Sequence, residues 1–469
     1  MVEALRESLR ESKSARWTAL ILVSLTMLSA YYFVDVMAPL QSLVEQNLKW
    51  TGGQYGFFSG SEYMLNMFGF LLISGIILDK MGIRFTGLMS TAVMVLGAFI
   101  KLYGLSATFN EGGPGFAFIN SFLVDMPPSV KMAALGYAIF GIGVEMCGIT
   151  VSRAIVKWFK GKELALAMGM EMATARMGAS LAFWGSAAMA GMKKTETGFI
   201  GNIMTPVWFG VALLCVGFLT FLVYTVMDTK LDKQESEAGV EAEEGFHFSD
   251  LLKIVTNKGF WLISLLCVLF YSGVFPFLKY AVNMMQNKLG ISAQLGGMIA
   301  GLLPVGTIFL TPVVGHFLDT KGKGASLMII GAALMTGAHL IFALAPLNMF
   351  MAIFAIVVLG VAFSLVPASM WPSVPKIVEE RYLGSAYALV FLIQNWGLGG
   401  VPTIIGIVRD KVNPGVAEAI AAGDKTAVYN YTVPMLIFAG LGICAMFLGW
   451  LLVREDKAKG YGLELPNKR

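Results

Sequence analysis

The chain alternates long apolar stretches with short polar turns. A helix needs about 20 residues to cross a hydrocarbon core that is about 30 Å thick. Twelve apolar stretches reach that length, and several exceed it, which indicates tilted helices. They lie near residues 17–39, 54–78, 85–106, 132–156, 163–192, 204–227, 259–286, 290–318, 325–346, 348–370, 383–408 and 431–453. The pattern predicts an all-α membrane protein with twelve transmembrane helices.

Residues 228–258 divide this series into two equal parts. Asp228 to Glu244 is polar and acidic, and an apolar pattern from Phe246 to Val255 follows it. We interpret the first stretch as a flexible linker and the second as a short interfacial helix. We therefore expect an N-terminal six-helix bundle over 1–227 and a C-terminal six-helix bundle over 259–469.

The composition supports a membrane protein and excludes several other classes. Charged residues make up 14% of the 469 residues, whereas a soluble domain carries about 25%. The net charge of +4 gives no reason to expect nucleic-acid binding. The four cysteines lie inside apolar stretches, and neither they nor the three histidines have the spacing of metal ligands. There is also no phosphate-binding loop and no pairing of a nucleophile with a base. We expect neither an enzyme nor a cofactor.

Basic residues are concentrated in alternate turns and at both ends of the chain. Short cytoplasmic turns of membrane proteins carry an excess of Lys and Arg. The basic turns contain Lys80, Arg84, Lys157, Lys160, Lys162, Lys321, Lys323, Lys376 and Arg381. The other side has basic residues spread over longer stretches, namely Lys49, Lys101, Lys131, Lys193, Lys194, Lys288, Arg409, Lys411 and Lys425. The distribution predicts cytoplasmic termini in a plasma membrane, the inner membrane in a bacterium.

A turn motif is repeated in the two parts of the chain. Gly75, Asp79 and Gly82 follow the second stretch with the spacing GxxxDxxG, and Arg84 comes soon after. Gly315, Asp319 and Gly322 repeat that spacing after the eighth stretch. One copy is weak evidence, but two copies at equivalent places indicate a duplicated six-helix unit. We expect the first glycines to allow close helix packing and Asp79 to meet a helix N-terminus or a basic residue.

Glu145 and Arg176 are the most informative charged residues. Glu145 lies fifteen residues before Lys160, and Arg176 lies fifteen residues after Gly161. Both are therefore roughly 22 Å from the turn between the fourth and fifth helices. Opposite charges at one depth in a bilayer face a cavity, a partner or a substrate. A simple ion pair between the two is the alternative.

Four other charged residues inside apolar stretches are candidates for coupling or gating. Asp35 and Glu62 are candidates for carrying a proton, or for closing a polar cluster. Arg153 and Glu171 lie at comparable distances from the same turn, nearer the cytoplasm, and we interpret them as a gate or a structural pair.

Helices seven, ten and eleven supply further candidates for substrate binding. Lys279 follows Phe275-Pro276-Phe277, where a proline bends a helix towards a cavity, so it is a candidate for binding a carboxylate or for reaching the membrane surface. Trp371, Gln394 and Asn395 are candidates for lining a pocket, because amides bind peptide groups and an indole offers a flat apolar wall. Packing alone also explains them.

Several segments together carry a family resemblance. The paired GxxxDxxG turns resemble the signature turns of the major facilitator superfamily. A closer resemblance, to the dipeptide-transporting branch of that superfamily, lies in several segments. They are 32–35, 38–41, 140–145, 158–164, 175–178, 274–277, 371–372, 383–387 and 394–398. The resemblance implies two six-helix bundles around a central cavity, a glutamate at position 145 that binds the amino end of a dipeptide, and an arginine at 176 that binds its carboxylate. It also implies a monomer.

The resemblance leaves the energetics open. Four residues before the Gly141-Ile142-Gly143 stretch, the superfamily often has an arginine linked to proton coupling, and this chain has Tyr137 there. We expect a dipeptide carrier, with Tyr32 of helix one also lining the site, that works as a uniporter by alternating access. The alternatives are a proton-coupled symporter and an exchanger of mono- or dicarboxylates, in which Arg176 with Lys279 or Arg153 would hold the anion.

Overall fold

The computed structural model describes residues 9–159, 162–195, 198–236, 251–379, 382–422, 424 and 426–466. The first half of the chain forms nine α-helices, two short 3-10 helices (Ala38–Leu40 and Asn66–Phe68) and one β-hairpin in these residues. They are α1 (Lys13–Asp35), α2 (Gln41–Leu48), α3 (Gly52–Met64), α4 (Phe70–Leu105), α5 (Ala107–Asn110), α6 (Phe116–Asn120), α7 (Pro128–Phe159), α8 (Leu164–Met189) and α9 (Met204–Ser236), with β1 (Lys193–Thr195) antiparallel to β2 (Gly198–Ile200).

The second half forms ten helices in the described residues. They are α10 (Leu251–Val255), α11 (Lys258–Leu289), α12 (Ala293–Ala300), α13 (Leu302–Lys321), α14 (Gly324–Leu344), α15 (Met349–Met370), α16 (Val374–Ile377), α17 (Leu383–Lys411), α18 (Val416–Ala421) and α19 (Thr432–Lys459).

The long helices account for the twelve predicted membrane crossings. Ten helical segments of the described chain are long and apolar enough to span a bilayer. One of them, Phe70–Leu105, bends at Gly82 (φ 76°), so its first part completes the crossing that α3 begins and its second part is a separate crossing. The remaining crossing is α8, which spans Leu164–Met189. The prediction of an all-α protein with two six-helix bundles is confirmed.

Helix α9 continues past the predicted start of the linker at residue 228. Asp228 accepts hydrogen bonds from Lys157 Nζ at 2.9 Å and from Trp158 Nε1 at 3.0 Å, and Asp232 lies 3.0 Å from Arg84. These partners keep the acidic segment helical as far as Ser236. The short helix α10 lies within the predicted interfacial segment, while residues 237–250 lie outside the described residues. The linker boundaries stay a prediction.

The two repeated turn motifs share a backbone conformation. Gly82 and Gly322, the last residue of each motif, have φ values of 76° and 72°, a region that side chains disfavour. Asp79 pairs with Arg153 at 2.7 Å. We expected the first glycine of each motif to allow close helix packing. The structure does not show this, because a Cβ atom at Gly75 or Gly315 would meet no atom within 4 Å. We call the membrane face that carries these basic turns the basic face, and the opposite one the distal face.

The two halves contact each other directly near the distal face. Helix α3 packs along α17 so closely that a Cβ atom at Gly60 would lie 2.0 Å from the Gly399 carbonyl oxygen. A Cβ atom at Gly56 would lie 2.2 Å from the carbonyl oxygen of Pro402. Such backbone contact requires small residues, as at other helix interfaces in membranes.

The halves move apart towards the basic face. Helix α8 contacts α12 and α13 where Gly297 meets Phe183 and where Ser180 Oγ donates a hydrogen bond to the Gly301 carbonyl at 3.2 Å. Further towards the basic face, Gly306 has open space around it, as Gly315 does. On α17, Gly384 is equally open. From these contacts we infer that the space between the halves is closed distally and opens towards the basic face.

A polar network reinforces the distal contact. Arg409 of α17 is 1% exposed and lies 2.8 Å from Glu45 Oε1 of the other half. Asp410 accepts a hydrogen bond from the Gly53 amide at 2.9 Å. Ser42 Oγ donates to Gln286 Oε1 at 3.0 Å. These bonds join the halves and break when the distal face opens.

We expect Gly60→Val to prevent closure of the distal face, because its side chain would occupy the space of the Gly399 carbonyl. Overpacking costs about 1–3 kcal/mol, so the ratio of closed to open protein should fall about 5- to 150-fold. The test uses a protein without its native cysteines that carries a single cysteine at Ser42, a position buried between the halves. This cysteine should react faster with a membrane-impermeant maleimide when Gly60→Val is present than when Gly60 is kept. Gly400→Val is the matched control, since a Cβ there meets nothing within 4 Å. Equal labelling of both variants would contradict the close contact.

We expect Arg409→Met to open the distal face for an electrostatic reason. Removing one partner of a buried ion pair costs about 3–5 kcal/mol, because the other charge stays buried without compensation. Here the cost falls on the closed state, since opening returns Glu45 to water. Labelling of the Ser42 cysteine should rise in Arg409→Met and return towards the original rate in Glu45→Gln/Arg409→Met. No recovery in the double variant would show that the pair is not what closes this face.

Candidate functional site

Glu145 and Arg176 lie on neighbouring antiparallel helices beside the cavity between the halves. Both residues are half-buried, Glu145 on α7 and Arg176 on α8. No ion pair joins them in the described part of the chain. Tyr31 of α1 interacts electrostatically with both side chains. The structure thus brings two opposite charges to one region and leaves them unpaired with each other.

Arg176 reaches across to the second half. Its Nη1 donates a hydrogen bond to Thr311 Oγ1 of α13 at 3.2 Å. Its guanidinium carbon lies 5.7 Å from the centre of the Phe363 ring of α15, within the range of a cation–π contact. Glu171 and Tyr271 interact with it electrostatically. This set holds the guanidinium at the cavity without the bidentate carboxylate partner that it suits best.

Aromatic residues of the second half extend the site from Arg176. Trp371 Nε1 donates a hydrogen bond to the Tyr271 hydroxyl at 3.0 Å, and its ring stacks on Phe391 at 4.8 Å. Trp371 is half-buried, so one part of the indole stays accessible. The arrangement gives an apolar wall next to a cation, which suits an organic carboxylate with a side chain.

The two predicted amides of α17 are buried. Gln394 Oε1 accepts a hydrogen bond from Cys267 Sγ at 3.4 Å, which ties α17 to α11. Asn395 is 2% exposed, and its Nδ2 has no hydrogen-bond partner among the described residues. Packing between helices therefore accounts for Gln394 in this state, whereas the buried donor of Asn395 stays unexplained by the protein's own groups.

Tyr32 does not lie with the residues around Glu145 and Arg176. It is 1% exposed, its hydroxyl donates a hydrogen bond to Met189 Sδ at 3.6 Å, and its ring meets Phe209 edge-on at 5.4 Å. Consecutive residues of a helix are rotated by about 100°. The neighbouring Tyr31 consequently faces the charges, while Tyr32 packs between helices of the first half.

Lys279, Asp35 and Glu62 form a separate cluster nearer the distal face. Lys279 Nζ lies 2.9 Å from Asp35 Oδ1 and 3.9 Å from Glu62 Oε2. Tyr137 donates a hydrogen bond to Glu62 Oε2 at 2.8 Å. Lys279 is 5% exposed, so it neither reaches the membrane surface nor stands free to bind an anion in this state. Its ion pair with Asp35 joins the two halves.

Arg153 and Glu171 do not form the expected pair. Arg153 binds Asp79 of the turn motif, and Glu171 lies near Arg176. The two side chains are thus not paired with each other in this state, because distance from a turn gives depth along each helix and not the direction of its side chains. Their alternative role as a gate stays a prediction. Arg153 instead links α7, the fourth crossing, to the end of the second crossing within the first half.

The site contains residues that the sequence analysis did not select. The sequence pattern could have selected Tyr31, because it lies four residues before the candidate Asp35 and so on the same helix face. No sequence pattern could have selected Tyr271, Thr311 or Phe363, because single polar or aromatic residues are common in apolar helices. Lys101 and Arg409, counted above among the spread charges of the distal side, are 0% and 1% exposed inside the protein.

Comparisons with known proteins agree with this architecture. Residues 23–402 match the family model of the Major Facilitator Superfamily. The lysosomal dipeptide transporter MFSD1 of Bos taurus is 26% identical over 406 residues, which cover 84% of this chain and 80% of the relative. MFSD1 of Homo sapiens is 26% identical over 407 residues, with the same coverage of both chains.

Solved structures show the same fold at low sequence identity. The D-xylose–proton symporter superposes with a TM-score of 0.67 at 15% identity, over 94% of this chain and 99% of the other. A bacterial homologue of the lysosomal transporter Spinster, inward-facing and occupied, gives 0.66 at 14% identity over 94% and 98%. The nucleoside transporter NupG gives 0.66 at 14% over 93% and 99%. The family match over most of the chain shows that this integral multi-pass membrane protein belongs to the Major Facilitator Superfamily of transporters.

Proposed function

We propose that this chain carries dipeptides and similar small zwitterions by alternating access, as a uniporter. The observation that supports this most strongly is that Glu145 and Arg176 lie beside one cavity, half-buried and not paired with each other. Two opposite charges inside a membrane protein that do not pair with each other are costly unless a ligand compensates them. A molecule with an amine at one end and a carboxylate at the other compensates both at once.

The chemistry of each end fits a peptide. A carboxylate such as Glu145 only accepts hydrogen bonds, and it therefore suits the three donors of an ammonium group. A guanidinium binds a carboxylate through two parallel hydrogen bonds. The ends of an extended dipeptide are at most about 7 Å apart. Recognition of the two ends leaves the side chains of the peptide unspecified, so we expect broad selectivity.

The relatives and the charge pattern support the remaining parts of the proposal. The relatives of similar length are named as dipeptide transporters. Basic turns favour a cytoplasmic basic face, with both termini on that side and a plasma-membrane location. The state described above is then inward-facing. We further propose a monomer whose halves, 1–227 and 259–469, move against each other about the site, and no enzymatic activity.

Exchange of organic anions has less support than peptide transport. Such a site requires a second cation beside Arg176, and the two candidates were Lys279 and Arg153. Lys279 is engaged by Asp35, and Arg153 is engaged by Asp79. A small acid would also leave Glu145 without a partner. These contacts favour a zwitterion over a dianion.

We expect dipeptides to raise the melting temperature of the purified protein, since a ligand that binds only the folded state stabilises it. Dipeptides with an acetylated amine or an amidated carboxylate should give little shift. Glu145→Gln should remove the shift with free dipeptides and keep any shift with carboxylic acids, which separates peptide transport from anion exchange. Equal shifts with free and N-acetylated dipeptides would contradict the role of Glu145.

Tyr31 and Tyr32 offer a matched pair for testing where the cargo lies. We expect Tyr31→Phe to weaken dipeptide binding about 10- to 150-fold, because a hydrogen bond to a charged group contributes about 1.5–3 kcal/mol. Tyr32→Phe removes the same atom from a neighbouring position that faces other helices, and its affinity should stay unchanged. Calorimetric titration of both variants with one dipeptide measures the difference. A loss in Tyr32→Phe alone would place the cargo elsewhere.

A further inference from the structure

An ordered insert joins the distal ends of α4 and α7 in the first half. It spans residues 106–127 and contains the short helices α5 and α6. At the equivalent place of the second half, residues 345–348 alone connect α14 to α15. The repeated six-helix unit therefore needs only a short turn here, and the insert is an addition to one half.

The inner side of the insert is fixed to the helices beneath it. Phe109 of α5 is 0% exposed, and its ring meets that of Tyr103 of α4 at 5.3 Å. Ile119 of α6 is buried. Lys131 of α7, which is also buried, donates hydrogen bonds to two carbonyl oxygens of the loop that follows α6. These contacts give the insert one orientation on the first half.

The outer side of the insert is apolar. Four large apolar side chains are exposed there, namely Phe118 (72%), Phe122 (41%), Leu123 (63%) and Val124 (81%). The rings of Phe118 and Phe122 meet edge-on at 5.8 Å. A group of exposed apolar side chains on an ordered element indicates an interaction surface.

The level of the insert in the membrane indicates what covers this surface. Arg84, near the basic end of α4's second part, and Leu105, where α4 ends, are 21 residues apart. That length is about 32 Å of helix, and the hydrocarbon core is about 30 Å thick. The insert therefore begins where the hydrocarbon gives way to the headgroups. Exposed apolar side chains of the two helices lead up to this level, namely Leu96 and Phe99 of α4 and Leu135 of α7.

The charges of the insert show which force would hold it in a membrane. Residues 106–127 contain no lysine or arginine and two acidic residues, Glu111 and Asp125. Attraction to anionic headgroups requires basic residues. The surface therefore depends on burial of apolar area, which zwitterionic lipids also provide.

We propose that the outer side of the insert is an interfacial anchor that lies among the lipids of the distal leaflet. Phenylalanine and leucine side chains bind at the boundary between headgroups and acyl chains in this way. The anchor holds the first half alone, because the second half has only a short turn at this place. The second half then tilts against a first half that is fixed in the bilayer, and this role does not depend on the cargo.

Nitroxide labels on single cysteines report what surrounds the insert in liposomes of phosphatidylcholine. The full-length protein without its native cysteines is labelled, and oxygen and a water-soluble nickel chelate serve as collision reagents. Because oxygen concentrates in lipid, Phe118→Cys should show a severalfold higher ratio of oxygen to nickel collisions than Glu111→Cys, an exposed acidic position of the same insert. Its ratio should approach that of Leu96→Cys, the reference for lipid.

A second label keeps the test valid if the loss of Phe118 disturbs the insert. Val124→Cys should give the same high ratio, and replacing part of the phosphatidylcholine by an anionic lipid should leave both ratios unchanged. Ratios at 118 and 124 as low as that of Glu111→Cys would mean that the insert lies in water. Slow collisions with both reagents would mean that protein, such as a second copy of this chain, covers it. Either result would overturn the proposal, as would a high ratio that requires the anionic lipid.

Discussion

The structure depends on one electrostatic constraint, which is that a charge buried between apolar helices needs a compensating charge nearby. The buried charges divide into three kinds. Pairs within one half, such as Lys157 with Asp228, stabilise that half in every state. Pairs between halves, such as Asp35 with Lys279, join the halves at the closed distal face and must separate for that face to open. Glu145 and Arg176 are unpaired with each other and lie beside the cavity. The location of a charge thus indicates whether it serves the fold, the conformational change or the cargo.

This division also explains why a cavity open to the basic face is compatible with a stable protein. The distal ion pairs and backbone contacts, with contacts of α8 such as Ser180 with Gly301, hold the halves together, whereas Asp79 of the first turn motif binds Arg153 within its own half. Nothing in the described residues couples Gly75 or Gly315 to the opposite half in this state. The two motifs are therefore available for contacts that form when the basic face closes.

The sequence predicted the crossings and the duplication, because each follows from spacing along one chain. Apolar length gives the number of helices, and distance from a turn gives depth. Partner identity does not follow from spacing, since it requires the rotation of each helix and the position of its neighbours. Arg153 was assigned to Glu171 for this reason, and Tyr32 was selected although Tyr31 faces the charges. Lys101 and Arg409 lie near the ends of apolar stretches, where a buried charge and a loop charge have the same pattern.

The contact between Gly60 and Gly399 has a consequence for how the carrier moves. A gate made of side chains can open in part, since one rotamer change admits a small molecule while the helices stay in place. Two polypeptide backbones in van der Waals contact offer no such intermediate, because neither has a torsion that retracts it without unwinding the helix. A cargo can therefore pass the distal face only when whole helices tilt as rigid bodies. The size of the opening is then set by one global motion, and leakage past a closed distal face is difficult.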